Sequence, residues 1–145
     1  SWPDTLPAGE VSSTPVSSLD ILPTSVAIAG KDSVAPIHDG VNLLPHLLGQ
    51  ADAPERNLYW SWRGNYSAIR VGNLKEVRNG RPVKAIDGTE IPKHNFVDLS
   101  TNPEELAGEH TLHSPEQKEM LAKRLDAWLE SVQADAKRLR PLDIY

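Results

Sequence analysis

The sequence predicts an α+β fold: a small antiparallel sheet of about four strands, packed by one long C-terminal helix. Three observations predict it. Short alternating runs fill the middle third, at Leu58–Trp62, Tyr66–Val71, Leu74–Arg78 and Asn95–Leu99. Turn signals at Arg63-Gly64-Asn65, Val71-Gly72-Asn73 and Asn79-Gly80 punctuate them, which is the pattern of antiparallel hairpins. The last third changes period, with Leu121, Leu125, Trp128 and Val132 recurring at helical spacing.

Ahead of the sheet, Ser17 and Ser18 precede Leu19, Ile21, Leu22, Val26, Ile28 and Ala29, and Gly30 follows. This reads as a capped, largely buried helix ended by a C-terminal glycine, with Pro23 tolerated near its first turn. Val41, Leu43, Leu44, Leu47 and Leu48, closed by Gly49, predict a second short helix, with Asp39-Gly40 as its turn and cap. Both helices are too apolar to stand alone, and only a few residues near Ser1 offer a strand to cover them. Within the sheet region, Val83–Ile86 and Thr89–Ile91 flank Asp87-Gly88 and predict a small projecting ribbon. Ser114-Pro115-Glu116-Gln117 is a capping box with proline at the first helical position, so the long helix is expected from about Pro115 to about Lys137. Glu119 and Lys123 add a pair on its outer face.

The 145 residues are 39% apolar and 24% charged, an ordinary globular composition. No apolar run approaches the ~20 residues of a membrane span, and the opening does not resemble a signal peptide, so a soluble chain is expected. It opens on Ser1 and holds one methionine, Met120, which fits a piece of a longer product. The absence of cysteine excludes disulfides, thiolate metal sites and cysteine nucleophiles. The net charge of −5 argues against a nucleic-acid partner, whose phosphates need Lys and Arg. Charge is uneven along the chain: residues 1–50 carry −4, residues 51–100 carry +2, and residues 101–145 carry −3.

That basic middle third holds Arg63, Arg70, Lys75, Arg78, Arg81, Lys84 and Lys93 beside Tyr59, Trp60, Trp62 and Tyr66. Strand alternation sends some of these cations to a solvated face, which is the bland reading. The functional one is an anion-facing rim, since Arg offers paired donors to sulfate, phosphate or carboxylate. Glu109, His110 and His113 lie close together, but they sit in a loop without a further ligand at metal-site spacing, so no metal site is expected. No phosphate loop, nucleophile elbow or triad pattern appears.

The order of short motifs carries more. Trp2-Pro3, Leu6-Pro7-Ala8-Gly9, Ser17-Ser18-Leu19-Asp20-Ile21-Leu22-Pro23-Thr24, Ala27-Ile28-Ala29-Gly30 and Asp39-Gly40-Val41-Asn42-Leu43-Leu44-Pro45 follow one another. Leu58-Tyr59-Trp60, Ala68-Ile69-Arg70, Gly72, Lys75 and then Phe96-Val97-Asp98-Leu99-Ser100-Thr101-Asn102-Pro103-Glu104-Glu105 continue the series. In this order they resemble the C-terminal part of the formylglycine-dependent (type I) sulfatases, over nearly the whole chain.

The resemblance implies that residues 1–50 are the last strand and helices of an α/β catalytic domain, and residues 51–145 its C-terminal subdomain. It also implies a parent enzyme that hydrolyses sulfate esters, with calcium and a formylglycine as its cofactors and a sulfated small molecule or glycan as its partner. A periplasmic, secreted or lysosome-like place is what the family suggests. This chain lacks the C/S-x-P-x-R nucleophile motif, because Ser1-Trp2-Pro3 and Ser13-Thr14-Pro15 are followed two residues later by Thr5 and Ser17. The family's calcium ligands lie upstream of the matched motifs, so the chain alone is expected to be inactive, with no catalytic or metal residue of its own. Leu74 and Val97 stand where the family often has aromatics. Substrate-side contacts are expected at the loop after Lys75, from Arg78, Asn79, Arg81 and Lys84, with His94 where the loop returns to the sheet. The alternatives are a non-catalytic anionic-glycan-binding or structural module and, more remotely, a phosphatase of the same superfamily.

Overall fold

The computed structural model describes residues 2–31, 39–63, 65–81, 83–84, 88–105 and 114–138. The chain divides into two compact units, residues 1–56 and 57–145.

In the first unit a 3-10 turn, Ser18–Asp20, runs into helix α1, Ile21–Ile28. The turn is closed reciprocally. The Ser17 hydroxyl accepts from the Leu19 N–H, and the Asp20 carboxylate accepts from the Ser17 N–H at 2.7 Å. Pro23, the third residue of α1, is buried, and Gly30 ends the helix at φ 72°. Helix α2 is Leu44–Leu47, followed by Gly49 at φ 67°.

Three expectations need correction here. Helix α1 is not largely buried: Ile21, Leu22 and Ile28 are about half to two-thirds exposed, because no strand forms among the described residues before Asn57 to cover them. For the same reason the residues near Ser1 supply no strand. Asp39-Gly40 does not cap α2 either. The Asn42 side chain accepts from the Leu44 N–H at 3.0 Å, while the Thr24 hydroxyl accepts from the Leu43 N–H. Gly40 is required for close approach, not for a left-handed backbone: a Cβ there would lie 2.0 Å from the Leu19 carbonyl oxygen.

Asp20 organises this unit. It is 1% exposed, and besides Ser17 it accepts from the Val41 N–H at 3.0 Å and from both terminal nitrogens of Arg56. The Arg56 hydrogen bonds outweigh burial and, with the two backbone donors, hold the carboxyl at about 2 against an ordinary 3.8.

The second unit carries four antiparallel strands in the order β1 (Asn57–Trp62), β2 (Tyr66–Val71), β3 (Leu74–Arg78) and β6 (His94–Asp98). Gly72, at φ 57°, allows the two-residue turn that sets Val71 opposite Leu74. Strands β4 (Val83–Lys84) and β5 (Glu90–Ile91) pair as the projecting ribbon. Helix α3, Pro115–Arg138, packs across β1, β2 and β3. Its start is fixed by the Ser114 hydroxyl, which accepts from the Gln117 N–H and donates to Glu116. The Glu119–Lys123 pair forms at 2.7 Å on the outside.

The core lies between α3 and one face of the sheet. Leu121 and Leu125 are fully buried against Ile69, with Val71, Leu74, Phe96 and Met120 around them. Tyr59 stacks on Trp128 at 5.0 Å. The registers place Tyr59, Ile69, Glu76 and Phe96 in one row across all four strands. Strand alternation therefore puts the Glu76 carboxylate under the helix, at zero exposure.

Candidate functional site

A carboxylate buried in an apolar row needs a charged partner and further donors to be tolerated. Arg78, two residues along β3 and so on the same face, supplies them. Its Nε donates to Glu76 Oε1 at 2.6 Å, a terminal nitrogen donates to Asp126 on α3, and another reaches the Ala122 carbonyl at 3.3 Å. Burial works to lower the Arg78 pKa, but its hydrogen bonds to Glu76 and Asp126 outweigh that and raise it. His94 stands opposite Arg78 in the strand register, half exposed, with Nδ1 3.3 Å from Glu76 Oε1.

These residues sit at the end of the sheet where β1 and β3 finish and β2 and β6 begin. The connection after β3 is tied there by Asn79, whose N–H donates to the Lys93 carbonyl at 2.8 Å and whose side chain donates to the Pro92 carbonyl at 3.1 Å. Gly80 packs on the β1–β2 turn, so that a Cβ would meet Asn65 side-chain atoms at 2.6 Å. Gly80, after β3, and Asn65, before β2, are thus in close approach.

Of the five residues singled out in the sequence, Arg78, Asn79 and His94 are brought together at this end. Arg81 and Lys84 are exposed along the connection and its ribbon, and their side chains make no ion pair or hydrogen bond among the described residues. Arg78 and His94 face α3 and hold Glu76, a role that the +2 charge of the middle third did not disclose. The pairing partner Asp126 lies 48 residues away, beyond the reach of local pattern reading. Glu109, His110 and His113 lie outside the described residues, as does Asp87 of the ribbon turn.

The opposite face of the same end holds Trp60 and Trp62, 48% and 59% exposed. Trp62 is tilted against Tyr66 at 5.3 Å, and the Arg63 guanidinium lies 4.5 Å from the Trp62 ring centre. A cleft of about 270 Å³ opens between them. Further along this face, Lys75 pairs with Glu105 at 2.6 Å. Alternation of Trp60 and Trp62 with Ser61 was the signal for this patch, since it puts both rings on one side of β1.

Among the described residues no three His, Asp or Glu side chains converge as metal ligands, and no helix is long and apolar enough to cross a membrane.

No protein-family model matches the chain. Among curated proteins it is 34% identical over 136 residues to arylsulfatase G of Rattus norvegicus, covering 84% of this chain and 25% of that protein. The arylsulfatase G of Mus musculus is 33% identical over 132 residues, with 83% and 25% covered. The chain thus spans about a quarter of the length of these relatives. In fold, it matches a protein solved in complex with its substrate D-glucosamine-2-N,6-O-disulfate, with a TM-score of 0.57 and 21% identity over 99% of this chain and 29% of that one. A second match, from work on glycosaminoglycan metabolism by Bacteroides thetaiotaomicron, has a TM-score of 0.52 and 20% identity over 79% of this chain and 24% of that one. The four-stranded antiparallel sheet with its long helix is the α+β arrangement of sulfatase C-terminal domains. Identity to two arylsulfatases over most of the chain, on that fold, places this chain in the sulfatase family, as a C-terminal portion of it.

Proposed function

We propose that this chain is the C-terminal subdomain, with the adjoining end of the catalytic domain, of an enzyme that hydrolyses sulfate esters. The observation that carries the reading is the 34% identity to an arylsulfatase over 84% of the chain. The catalytic formylglycine and calcium belong to the part of the parent outside these residues. With no cysteine and no nucleophile motif here, the chain alone is inactive.

Its contribution is packing and substrate-side contact. Arg78 and His94 fix the end of the sheet by holding Glu76, and Asn79 ties down the loop, so that Arg81 and Lys84 project cations from a braced surface. A sulfated sugar is the substrate class, supported by one fold neighbour having been solved with a sulfated glucosamine.

Sulfate release tests the reading. The full-length protein that contains this chain is expected to liberate sulfate from an aryl sulfate or a sulfated hexosamine, and the 145-residue chain to liberate none. A full-length protein that releases no sulfate from either class overturns it. Within that enzyme, Arg81→Gln with Lys84→Gln should raise KM severalfold with kcat kept, and an unchanged KM removes both residues from the substrate side.

A further inference from the structure

The aromatic end of the sheet carries two tryptophans that take no part in the core under α3, with Lys75 6.0 Å from the Trp60 ring centre. Trp60 and Trp62 project from the face opposite α3, and two large aromatics on one strand that remain about half exposed mark a binding surface more often than a packing accident. They are also held in place. Tyr66 braces Trp62 across the strand pair, and Gly80 against Asn65 locks the neighbouring turn. The cleft of about 270 Å³ is lined by Trp60, Trp62, Ala68, Val77, Asn79 and Arg78, the last already committed to Glu76 and Asp126. Its volume is less than that of a drug-sized site, with room for about one sugar ring. Arg63, whose guanidinium lies over the ring of the cleft-lining Trp62, has no carboxylate partner among the described residues.

We propose that this cleft binds one ring of an anionic sugar, with its C–H faces on Trp60 and Trp62 and its sulfate or carboxylate on Arg63. Indole faces offer area and a negative quadrupole to the polarised C–H groups of a pyranose, and a guanidinium gives an oxyanion two parallel donors. The net charge of −5 disfavours a polyphosphate as the occupant, while Arg63 beside Trp62 favours an isolated anionic group. The inference rests on the sulfatase reading for its choice of a sulfated sugar and adds Trp60, Trp62, Tyr66 and Arg63 to the substrate surface.

The test is an NMR titration of the 145-residue chain, following the four tryptophan indole N–H signals. The probe is N-acetylglucosamine 6-sulfate, with unsulfated N-acetylglucosamine and inorganic sulfate as controls. Signals of Trp60 and Trp62 should move on one saturating curve while those of Trp2 and Trp128 stay. Trp62→Ala, at an exposed position, should weaken binding at least tenfold with the Trp128 signal unmoved. Arg63→Gln should weaken the sulfated sugar severalfold and leave the unsulfated one unchanged. No movement at Trp60 and Trp62, an equal response to sulfate alone, or affinity unchanged in both variants overturns the proposal. So does full-length protein in which both indoles are inaccessible to a soluble quencher, since the rest of the chain then covers the face. Binding is read without turnover, so it can fail while sulfate release succeeds, or the reverse.

Discussion

Arg78 on β3 and Asp126 on α3 form an ion pair that joins the sheet to the helix, with the buried Glu76 carboxylate on the other side of the same guanidinium. Asp126 is largely exposed, so its share of the pair is weakened by water, whereas Glu76 has no exposure at all. The two halves of this clasp should therefore behave differently.

Arg78→Ala should cost the chain about 3 kcal/mol or more, because it strands a buried charge. Asp126→Asn should cost no more than about 1 kcal/mol. Replacing both Glu76 and Arg78 by Leu and Met should recover much of the single-variant loss, since the row Tyr59, Ile69, Glu76 and Phe96 is otherwise apolar. Urea unfolding of the wild type and these three variants checks this, and a double variant as unstable as Arg78→Ala counts against the clasp.

The strands and α3 were legible because each is fixed by local signals: the Gly72-Asn73 turn, the alternation in Tyr66–Val71, the proline and capping serine at Ser114-Pro115. Two things were not. Glu76 reads as a solvated strand residue, since its burial depends on the long-range approach of Asp126 and on Arg78 and His94 turning to the same face. The exposure of α1 was hidden because its apolar composition reports what the helix is built to cover, and the covering element is absent from the described residues. The candidate site was half legible. Charge pointed to the loop after β3, but the braced tryptophan face beside it needed the register of β1 on β2.

Asp20 sets a pH limit on the first unit. Its folded pKa, about 2, lies below the ordinary 3.8, so the stabilisation is complete above the unfolded value. It is then lost as pH falls from about 4 towards 2. By linkage this amounts to about 2 kcal/mol, and Asp20→Asn should flatten that part of the stability curve. Thermal unfolding between pH 2 and 6 reads it, and an unaltered acid limb in the variant would remove Asp20 as its source.

Gly40 and Gly80 test close approach at two places. Gly40→Ala would put a methyl 2.0 Å from the Leu19 carbonyl oxygen, a backbone atom that cannot turn away, so a loss of about 2–4 kcal/mol is expected. At Gly80 the nearest atoms include the Asn65 side chain, which can swing aside, though the Asn65 carbonyl at 2.9 Å cannot. The Gly80→Ala loss should be smaller and should shrink further with Asn65→Gly. Equal losses at the two glycines would mean that the Asn65 contact is as rigid as the backbone one.

The apolar face of α1 gives the prediction that separates this chain from its parent. Ile21 and Leu22 are 66% and 54% exposed, so in the 145-residue chain Ile21→Gln should change stability by less than about 0.5 kcal/mol. The curated relatives are about four times as long, and a helix this apolar belongs against a sheet. In the full-length protein the same substitution should cost about 2 kcal/mol or more, because it puts an amide where water is excluded. A hydrophobic surface that is used makes the two measurements differ. If Ile21→Gln is neutral in both proteins, α1 faces solvent in the parent as well, and its apolar side chains need another explanation.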